Sequence, residues 1–297
     1  MSLDGISHDE LRTILDLAGD QDRLTESLSG KTVCLAFFEP STRTASSFEL
    51  AARRSGADLI SLSEGGSAIC KGESLVDTVV TLSSLGADAV VIRHPAAGAA
   101  ALAAQHTTAA VINAGDGRGQ HPTQALLDLH ALSETFGGLD ELAGRRAVIV
   151  GDVLHSRVAR SVIPALQAAG VEVALSAPPT LLPPDTAAWD LPILDSVDEA
   201  LDWGADILYT LRLQKERMTG ALIPSVAEYA ARFAVARRHL RPGVVVMHPG
   251  PVNRGVEIAG DIVLDDASLI SRQVASGVAV RAAVLALATG VVQEVAV

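Results

Sequence analysis

The chain has 297 residues, enough for two domains of ordinary size, and 48% of them are hydrophobic although only 3% are aromatic. Its core must therefore consist mostly of Ala, Val, Leu and Ile, and it can be large enough to need neither disulfide nor metal. The net charge of −12 argues against a nonspecific nucleic-acid binder, whose signature is a basic face.

The two cysteines and the N-terminus indicate where the protein works. Cys34 lies in an apolar run and Cys70 in a Gly/Ser-rich loop, so no disulfide framework is expected and a reducing compartment is favoured. The first residues lack the basic and apolar regions of a signal peptide, and no uncharged apolar span of membrane length occurs. These observations predict a soluble, cytoplasmic protein that does not bind membranes.

Helices and strands are predicted to alternate along the chain. In the first half, apolar patterns predict helices over 7–19, 45–54, 75–85, 97–105 and from 121 to about 137, and strands over 32–38, 57–62, 89–92 and 109–112. In the second half they predict strands over 146–150, 171–175, 207–211 and 244–247 and a last helix over 276–289. This alternation predicts an α/β fold of two domains, each a mainly parallel sheet flanked by helices. Glycines at 137, 138 and 144 mark the junction between domains at 1–137 and 138–274.

The loop Phe37-Phe38-Glu39-Pro40-Ser41-Thr42-Arg43-Thr44 connects the first predicted strand to a helix. Its hydroxyl residues could simply cap the helix. The arginine among them instead favours a phosphate site, because the free N–H groups of a helix start attract anions and a guanidinium matches phosphate oxygens. The loop is not a Walker loop, since the Gly-x-x-x-x-Gly-Lys pattern is absent.

Further polar segments follow other predicted strands, where ligands of open α/β sheets bind. They are Arg93-His94-Pro95, His121-Pro122-Thr123-Gln124, Gly151 to Ser161, Leu211 to Met218 and Met247 to Ile258. Taken singly, each could be a surface charge, a solvated helix start or a rigid turn. A dinucleotide site is rejected for 151–161, because Gly-x-Gly-x-x-Gly is missing.

Together, and in this order, the motifs between residues 37 and 258 resemble those of the aspartate and ornithine carbamoyltransferases. The resemblance implies that Ser41, Thr42, Arg43 and Thr44 hold the phosphate of carbamoyl phosphate, and that Thr44, Arg93 and His121 polarise its carbonyl oxygen. It further implies that Gln124 and the backbone of Pro249, Gly250 and Pro251 contact the substrate N–H groups, and that Arg43, Thr44, Arg93 and His121 are catalytic. It also implies a long helix between the domains and a C-terminal helix, 275–297, that returns to the first one.

Two segments favour the aspartate branch of the family. Arg212 and Gln214 stand two residues apart in Leu211 to Met218, where the ornithine enzymes carry Asp and a Ser-Met-Gly element. Gly250 follows Pro249, where the ornithine enzymes have His-Cys-Leu-Pro. The resemblance implies that Arg157, Arg212, Gln214 and Lys71 hold L-aspartate, since paired arginines suit a dicarboxylate. Two alternatives remain. The chain could be a carbamoyltransferase for ornithine or another amine, or it could be a noncatalytic metabolite-binding subunit.

The resemblance also carries expectations about assembly. Ser67 and Lys71 match a loop that enters the neighbouring subunit's site, which implies a homotrimer with shared active sites. A regulatory chain or a dihydroorotase partner accompanies many such enzymes, and no cofactor or metal is expected. The chain departs from many relatives at Ala45-Ser46, where they have Arg-Thr.

Overall fold

The computed structural model describes residues 2–62, 72–184, 186–218 and 222–292. It divides into two compact units. Unit 1 is formed by the chain up to residue 130 together with the segment that begins at residue 274, and unit 2 is formed by residues 131–273. Ser67, Cys70 and Lys71 lie outside the described residues.

Unit 1 is built on a four-stranded parallel sheet in the order β2-β1-β3-β4. The strands are β1 (Thr32–Phe37), β2 (Asp58–Leu62), β3 (Ala89–His94) and β4 (Ala110–Asp116). The helices are α1 (His8–Gly19), α2 (Gln21–Leu24), α3 (Thr42–Arg54), α4 (Leu75–Ser84), α5 (Ala99–Ala104), the first part of α6 (Pro122–Phe136) and most of α10 (Ile270–Ala288).

Local sequence explains the ends and faces of several of these elements. Ser7 caps α1 and forms a reciprocal capping box with Glu10. Cys34 is buried in β1, where burial raises the pKa of its thiol to about 11. The apolar residues of the predicted helix 75–85 would all be expected to face the core, but Val80 and Leu85 are 44% and 69% exposed, so this expectation is wrong for them. The buried residues of α4 are Thr78, Val79 and Leu82, a narrower stripe at helical spacing.

Unit 2 is built on a five-stranded parallel sheet in the order β7-β6-β5-β8-β9. The strands are β5 (Arg146–Val150), β6 (Glu172–Ser176), β7 (Ile193–Leu194), β8 (Ile207–Thr210) and β9 (Val245–Met247), and the helices are α7 (Arg157–Ala168), α8 (Val197–Asp202) and α9 (Val226–Phe233). Short 3-10 turns occupy Asp140–Leu142, Pro179–Leu181, Thr186–Trp189, Lys215–Arg217 and Arg237–His239. The prediction of two α/β units with parallel sheets is confirmed.

Each sheet has a point at which the direction of the chain crossings reverses. In unit 1 the chain leaves β1 toward β2 and leaves β3 toward β4, so the reversal lies between β1 and β3. In unit 2 it lies between β5 and β8. The loops after these four strands therefore leave a crevice at the carboxyl edge of each sheet, which is where parallel α/β sheets bind ligands.

The last helix begins at Ile270, six residues before its predicted start at 276. By length and composition it could cross a membrane, but 56% of its apolar window is buried inside the protein. It also carries Arg272 and Arg281, and Arg281 is buried. A core helix of a globular protein has these properties.

Candidate active site

In unit 1, the polar loop after β1 leads directly into α3. Ser41 is the N-cap residue, with extended backbone, but its side chain makes no capping hydrogen bond. Helix capping therefore does not explain its hydroxyl. Thr42 and Arg43 are exposed in the first turn, and Thr44 is buried. The first-turn N–H groups and the helix dipole favour an anion at this end of the helix.

Arg93 lies beside that loop because β1 and β3 are neighbours. Their register aligns Phe37 with Arg93, and the Phe38 N–H donates to the Arg93 carbonyl oxygen over 2.8 Å. The Arg93 side chain is 13% exposed; its Nη1 donates to the Ala114 carbonyl oxygen over 3.1 Å, and its Nε lies 3.6 Å from Glu39 Oε2. The guanidinium is thus held at the reversal point of the sheet.

His121 and Gln124 follow β4, the next strand of the sheet. Both are buried at the start of α6. The turn before them is organised by the buried Asp116 carboxylate, which accepts from the N–H groups of Gly98 at 2.6 Å and Gln120 at 2.7 Å. The structure therefore places the predicted carbamoyl-phosphate-binding residues at the ends of three adjacent strands.

In unit 2, the loops after β5 and β8 are tied together by the buried carboxylate of Asp152. Its Oδ1 accepts from the backbone N–H of His155 at 3.2 Å and lies 2.8 Å from His155 Nδ1. Its Oδ2 accepts from the backbone N–H of Gln214 at 3.1 Å. The Gln214 side chain completes the link by donating to the His155 carbonyl oxygen over 3.0 Å.

The two predicted aspartate-binding arginines follow neighbouring strands. Arg157 is the first residue of α7, where Ser156 caps the helix by accepting from the Ala159 N–H at 3.2 Å. Arg212 follows β8, and the pairing of Val150 with Thr210 places the ends of β5 and β8 side by side. Two guanidinium-bearing segments therefore leave the same point of the second sheet.

A second buried carboxylate, Glu257, connects the segment after β9 to the same loop. It accepts from the backbone N–H of Leu213 at 2.8 Å and from the backbone and side chain of Asn253 at 3.0 and 2.8 Å. Burial raises the pKa of this carboxyl group, against the effect of these hydrogen bonds. Asp152 and Glu257 thus bind the N–H groups of consecutive residues, 214 and 213, beside Arg212.

The turn at 249–251 follows β9. The peptide bond between Gly250 and Pro251 is cis, and Gly250 has a φ of +67° that suits glycine. The Gly250 N–H donates to His248 Nδ1 over 2.7 Å, and Gln273 Oε1 accepts from the His248 N–H at 3.0 Å.

No group of His, Cys, Asp and Glu able to hold a metal ion occurs in the part of the chain that the structure describes.

Two family models together match most of the chain. Residues 1–134 match the carbamoyl-phosphate-binding domain of aspartate/ornithine carbamoyltransferases, and residues 143–288 match their Asp/Orn-binding domain. The chain belongs to the aspartate/ornithine carbamoyltransferase family.

Relatives of this carbamoyltransferase chain are similar over nearly their whole length. It is 72% identical to an aspartate carbamoyltransferase catalytic subunit of Rubrobacter xylanophilus, covering 100% of this chain and 98% of the relative. It is 48% identical to that of Gluconobacter oxydans over 96% and 93% of the two chains. Aspartate transcarbamoylase from Trypanosoma cruzi in complex with N-(phosphonacetyl)-L-aspartic acid has a similar structure, with a TM-score of 0.84, 30% identity and coverage of 96% and 94%.

Sequence reasoning selected the polar residues of this carbamoyltransferase's loops but missed the buried carboxylates behind them. Asp116, Asp128, Asp152 and Glu257 each accept hydrogen bonds from the segments that carry the predicted residues. One signal was available for Asp128, which stands four residues after Gln124 on a predicted helix. Asp152 directly follows a strand and a glycine, and that position in the sequence also predicts a residue at the carboxyl edge of the sheet.

Proposed function

We propose that this chain transfers the carbamoyl group of carbamoyl phosphate to L-aspartate and releases N-carbamoyl-L-aspartate and phosphate. The observation that carries the proposal is the pair of arginines, Arg157 and Arg212, that follow neighbouring strands β5 and β8. Two guanidinium groups suit a substrate with two carboxylates, because each Arg–carboxylate pair is charge-assisted and can be bidentate. The Trypanosoma cruzi relative, solved with carbamoyl phosphate and aspartate, supports the same substrates here.

Unit 1 supplies the groups for carbamoyl phosphate. Ser41, Thr42, Arg43 and Thr44 at the start of α3 bind the phosphate, because hydroxyls, N–H groups and the helix dipole all favour its charge. Thr44, Arg93 and His121 donate to the carbonyl oxygen as negative charge develops there.

Unit 2 supplies the groups for aspartate. Arg157, Arg212 and Gln214 bind its carboxylates, and the carbonyl groups of the 249–251 turn accept from substrate N–H groups. Asp152 and Glu257 do not contact substrate in this scheme; they hold the backbone of the Arg212–Gln214 segment. Pre-positioning of this kind reduces the entropy lost on binding.

The reaction needs no enzyme-bound carbamoyl group. The aspartate amine attacks the carbonyl carbon, a C–N bond forms, and the bond from that carbon to the bridging phosphate oxygen breaks. The departing phosphate accepts the proton that the amine loses, so that no protein base is required. The donors of unit 1 stabilise the charge on the carbonyl oxygen between the two steps.

The chain acts as a cytoplasmic homotrimer in pyrimidine biosynthesis, with Ser67 and Lys71 supplied by the neighbouring subunit. Val80 on α4 and Leu85, the residue that follows this helix, are exposed apolar side chains and support a partner surface on unit 1. Purification under native conditions tests whether a regulatory or dihydroorotase partner accompanies the chain.

The first test is product formation from carbamoyl phosphate with L-aspartate and, separately, with L-ornithine. A ureido product with aspartate alone supports the proposal. Product with ornithine alone overturns the interpretation of residues 211–218, and no product with either amine favours a binding subunit.

The second test is Arg212→Ala. Loss of a charge-assisted contact worth about 2 kcal/mol should raise the KM for aspartate about thirtyfold. The KM for carbamoyl phosphate should change far less. Arg232→Ala is the matched control, because Arg232 is exposed on α9 and lies 3.9 Å from Asp195. Equal effects of R212A on both KM values would overturn the assignment.

A further inference from the structure

Residues 2–4 are held in place by a core residue. Leu3 is completely buried, although Ser2 and Asp4 on either side of it are exposed. The Ile6 N–H donates to the Leu3 carbonyl oxygen over 3.2 Å, so the chain turns directly after Leu3 before it enters α1. The polar groups of residues 2–4 therefore have defined positions beside the buried leucine.

The side chain of Gln120 binds this segment at both ends of its amide. Its Oε1 accepts from the backbone N–H of Leu3 at 3.1 Å, and its Nε2 donates to Asp4 Oδ1 over 2.7 Å. Ser2 Oγ lies 3.1 Å from the same Oε1 and 2.9 Å from Asp4 Oδ2, and it can donate its proton to either. Because a backbone N–H only donates and a carboxylate only accepts, one orientation of the amide satisfies both partners.

The backbone of Gln120 is held separately by Asp116 at the end of β4. The Gln120 N–H donates to Asp116 Oδ1 over 2.7 Å, and the Gln120 carbonyl oxygen accepts from the Asp116 N–H at 3.1 Å. Asn113, also in β4, donates from Nδ2 to the same carboxylate oxygen over 3.0 Å. Gln120 is thus fixed from two directions, by β4 through its backbone and by residues 2–4 through its side chain.

The residue fixed in this way directly precedes His121. His121 is 5% exposed, and its carbonyl oxygen accepts from the Gln124 N–H at 3.0 Å in the first turn of α6. The rigid peptide plane between residues 120 and 121 transmits any rotation of Gln120 to the backbone that carries the imidazole. A displacement of about 1 Å in a reacting group can lower a rate about a hundredfold, so this link is strong enough to affect catalysis.

We propose that Gln120 is a positioning residue, which uses its contacts with residues 2–4 to hold the His121 imidazole for its contact with the carbonyl oxygen of carbamoyl phosphate. The contact between His121 and substrate rests on the proposed function. The contacts of Gln120 do not, so the link from Gln120 to His121 can be tested separately.

An exchange of donor and acceptor tests the pair formed by Gln120 and Asp4. Gln120→Glu places a carboxylate oxygen against the Asp4 carboxylate, so the pair is broken and kcat should fall about tenfold. The KM for L-aspartate should stay within about twofold, because a donor that acts on the transition state affects kcat and not aspartate binding.

The double variant Q120E/D4N rebuilds the pair in reverse. The amide introduced at position 4 donates to the carboxylate introduced at position 120, and the net charge equals that of the wild type. Its kcat should return to within about twofold of the wild type. Asp4→Asn alone should have little effect, because its amide oxygen can face Gln120 while its NH2 group faces the Ser2 hydroxyl. If the double variant stays as slow as Q120E, the pair does not position His121.

Two controls separate positioning from charge and from stability. Gln120→Met removes both contacts without adding a charge and should lower kcat as Q120E does. Gln105→Glu adds the same charge at an exposed residue directly after α5, in the same unit, and should keep the wild-type kcat. If Q120M lowers the urea midpoint but leaves kcat unchanged, Gln120 only anchors residues 2–4; that result, or an equal loss of kcat in Q105E, would overturn the proposal.

A measurement that needs no turnover completes the test. In protein labelled with 15N-histidine, the ring signals of His121, identified by their loss in His121→Gln, should shift in Q120M and Q120E and return to their wild-type positions in Q120E/D4N. If the wild type carbamoylates no amine, the proposed function fails, but these spectra still decide whether Gln120 positions the ring. Identical His121 signals in the wild type and Q120M would overturn the inference.

Discussion

Replacing Asp152 by asparagine tests whether a buried carboxylate holds the segment that carries Arg212 and Gln214. The substitution preserves the shape of the side chain but turns one acceptor oxygen into an NH2 group. Asp152 accepts at both oxygens: Oδ1 accepts from His155, and Oδ2 accepts from the Gln214 N–H at 3.1 Å. An asparagine must therefore place a donor against a donor.

The size of the effect follows from the two possible orientations. If the amide oxygen takes the Oδ1 position, both contacts with His155 remain and the one with Gln214 is lost; the flipped amide loses both contacts with His155. A hydrogen bond to a charged group contributes about 1.5–3 kcal/mol, so the better orientation costs about 2 kcal/mol of unfolding free energy. Freeing the Gln214 backbone should also raise the KM for aspartate about tenfold, which corresponds to about 1.4 kcal/mol.

Urea denaturation and steady-state kinetics measure both quantities. D152N should lower the urea midpoint with an unchanged m-value and raise the KM for aspartate more than that for carbamoyl phosphate. Asp202→Asn is the matched control, because Asp202 is 77% exposed and lies 3.6 Å from Arg241 Nη2, a surface pair worth less than about 1 kcal/mol. If D152N loses stability but leaves the KM for aspartate unchanged, the carboxylate does not hold this loop for substrate.

Two further predictions concern the same region. Burial raises the pKa of Glu257 above its ordinary value of 4.5, so the stabilisation from its bound proton is complete below pH 4.5 and is lost as the pH rises through the raised pKa. The urea midpoint of the wild type should therefore fall as the pH rises over this range, and Glu257→Gln should remove that fall. If the urea midpoint of E257Q depends on pH as steeply as that of the wild type, the prediction is wrong. Gly151 has a φ of +114°, and a Cβ atom there would lie 2.7 Å from Tyr229 Oη, so Gly151→Ala should cost about 2 kcal/mol or more. In a Tyr229→Phe background this cost should be smaller; equal costs would exclude the hydroxyl contact.

The sheets could be predicted from sequence because their strands are continuous apolar runs. Parallel strands covered on both faces need such runs, and those of β1, β3, β5 and β8 stand out against polar loops. The site loops were predictable for the same reason: polar residues directly after a buried strand must lie at the carboxyl edge. Their individual roles in binding and catalysis remain predictions.

Other features could not be predicted from the sequence, because they depend on contacts between segments that are distant along the chain. Strand β7 and helices α8 and α9 are short, and tertiary packing rather than a long periodic pattern determines them. The burial of Asp152 and Glu257 depends on loops that meet only in the folded sheet. The assignment of α10 to unit 1 joins segments that the whole of unit 2 separates along the chain, and no local pattern indicates it.

The discontinuity of unit 1 sets an order of events during synthesis. The segment from residue 274 onward is synthesised after the whole of unit 2, and it carries most of the helix that completes unit 1. Unit 2, a continuous stretch of chain, can fold while most of α10 is still inside the exit tunnel. The first 130 residues therefore stay without part of their core until α10 is made, because residues of α10 such as Val280, Ala283 and Leu285 are buried in the folded protein.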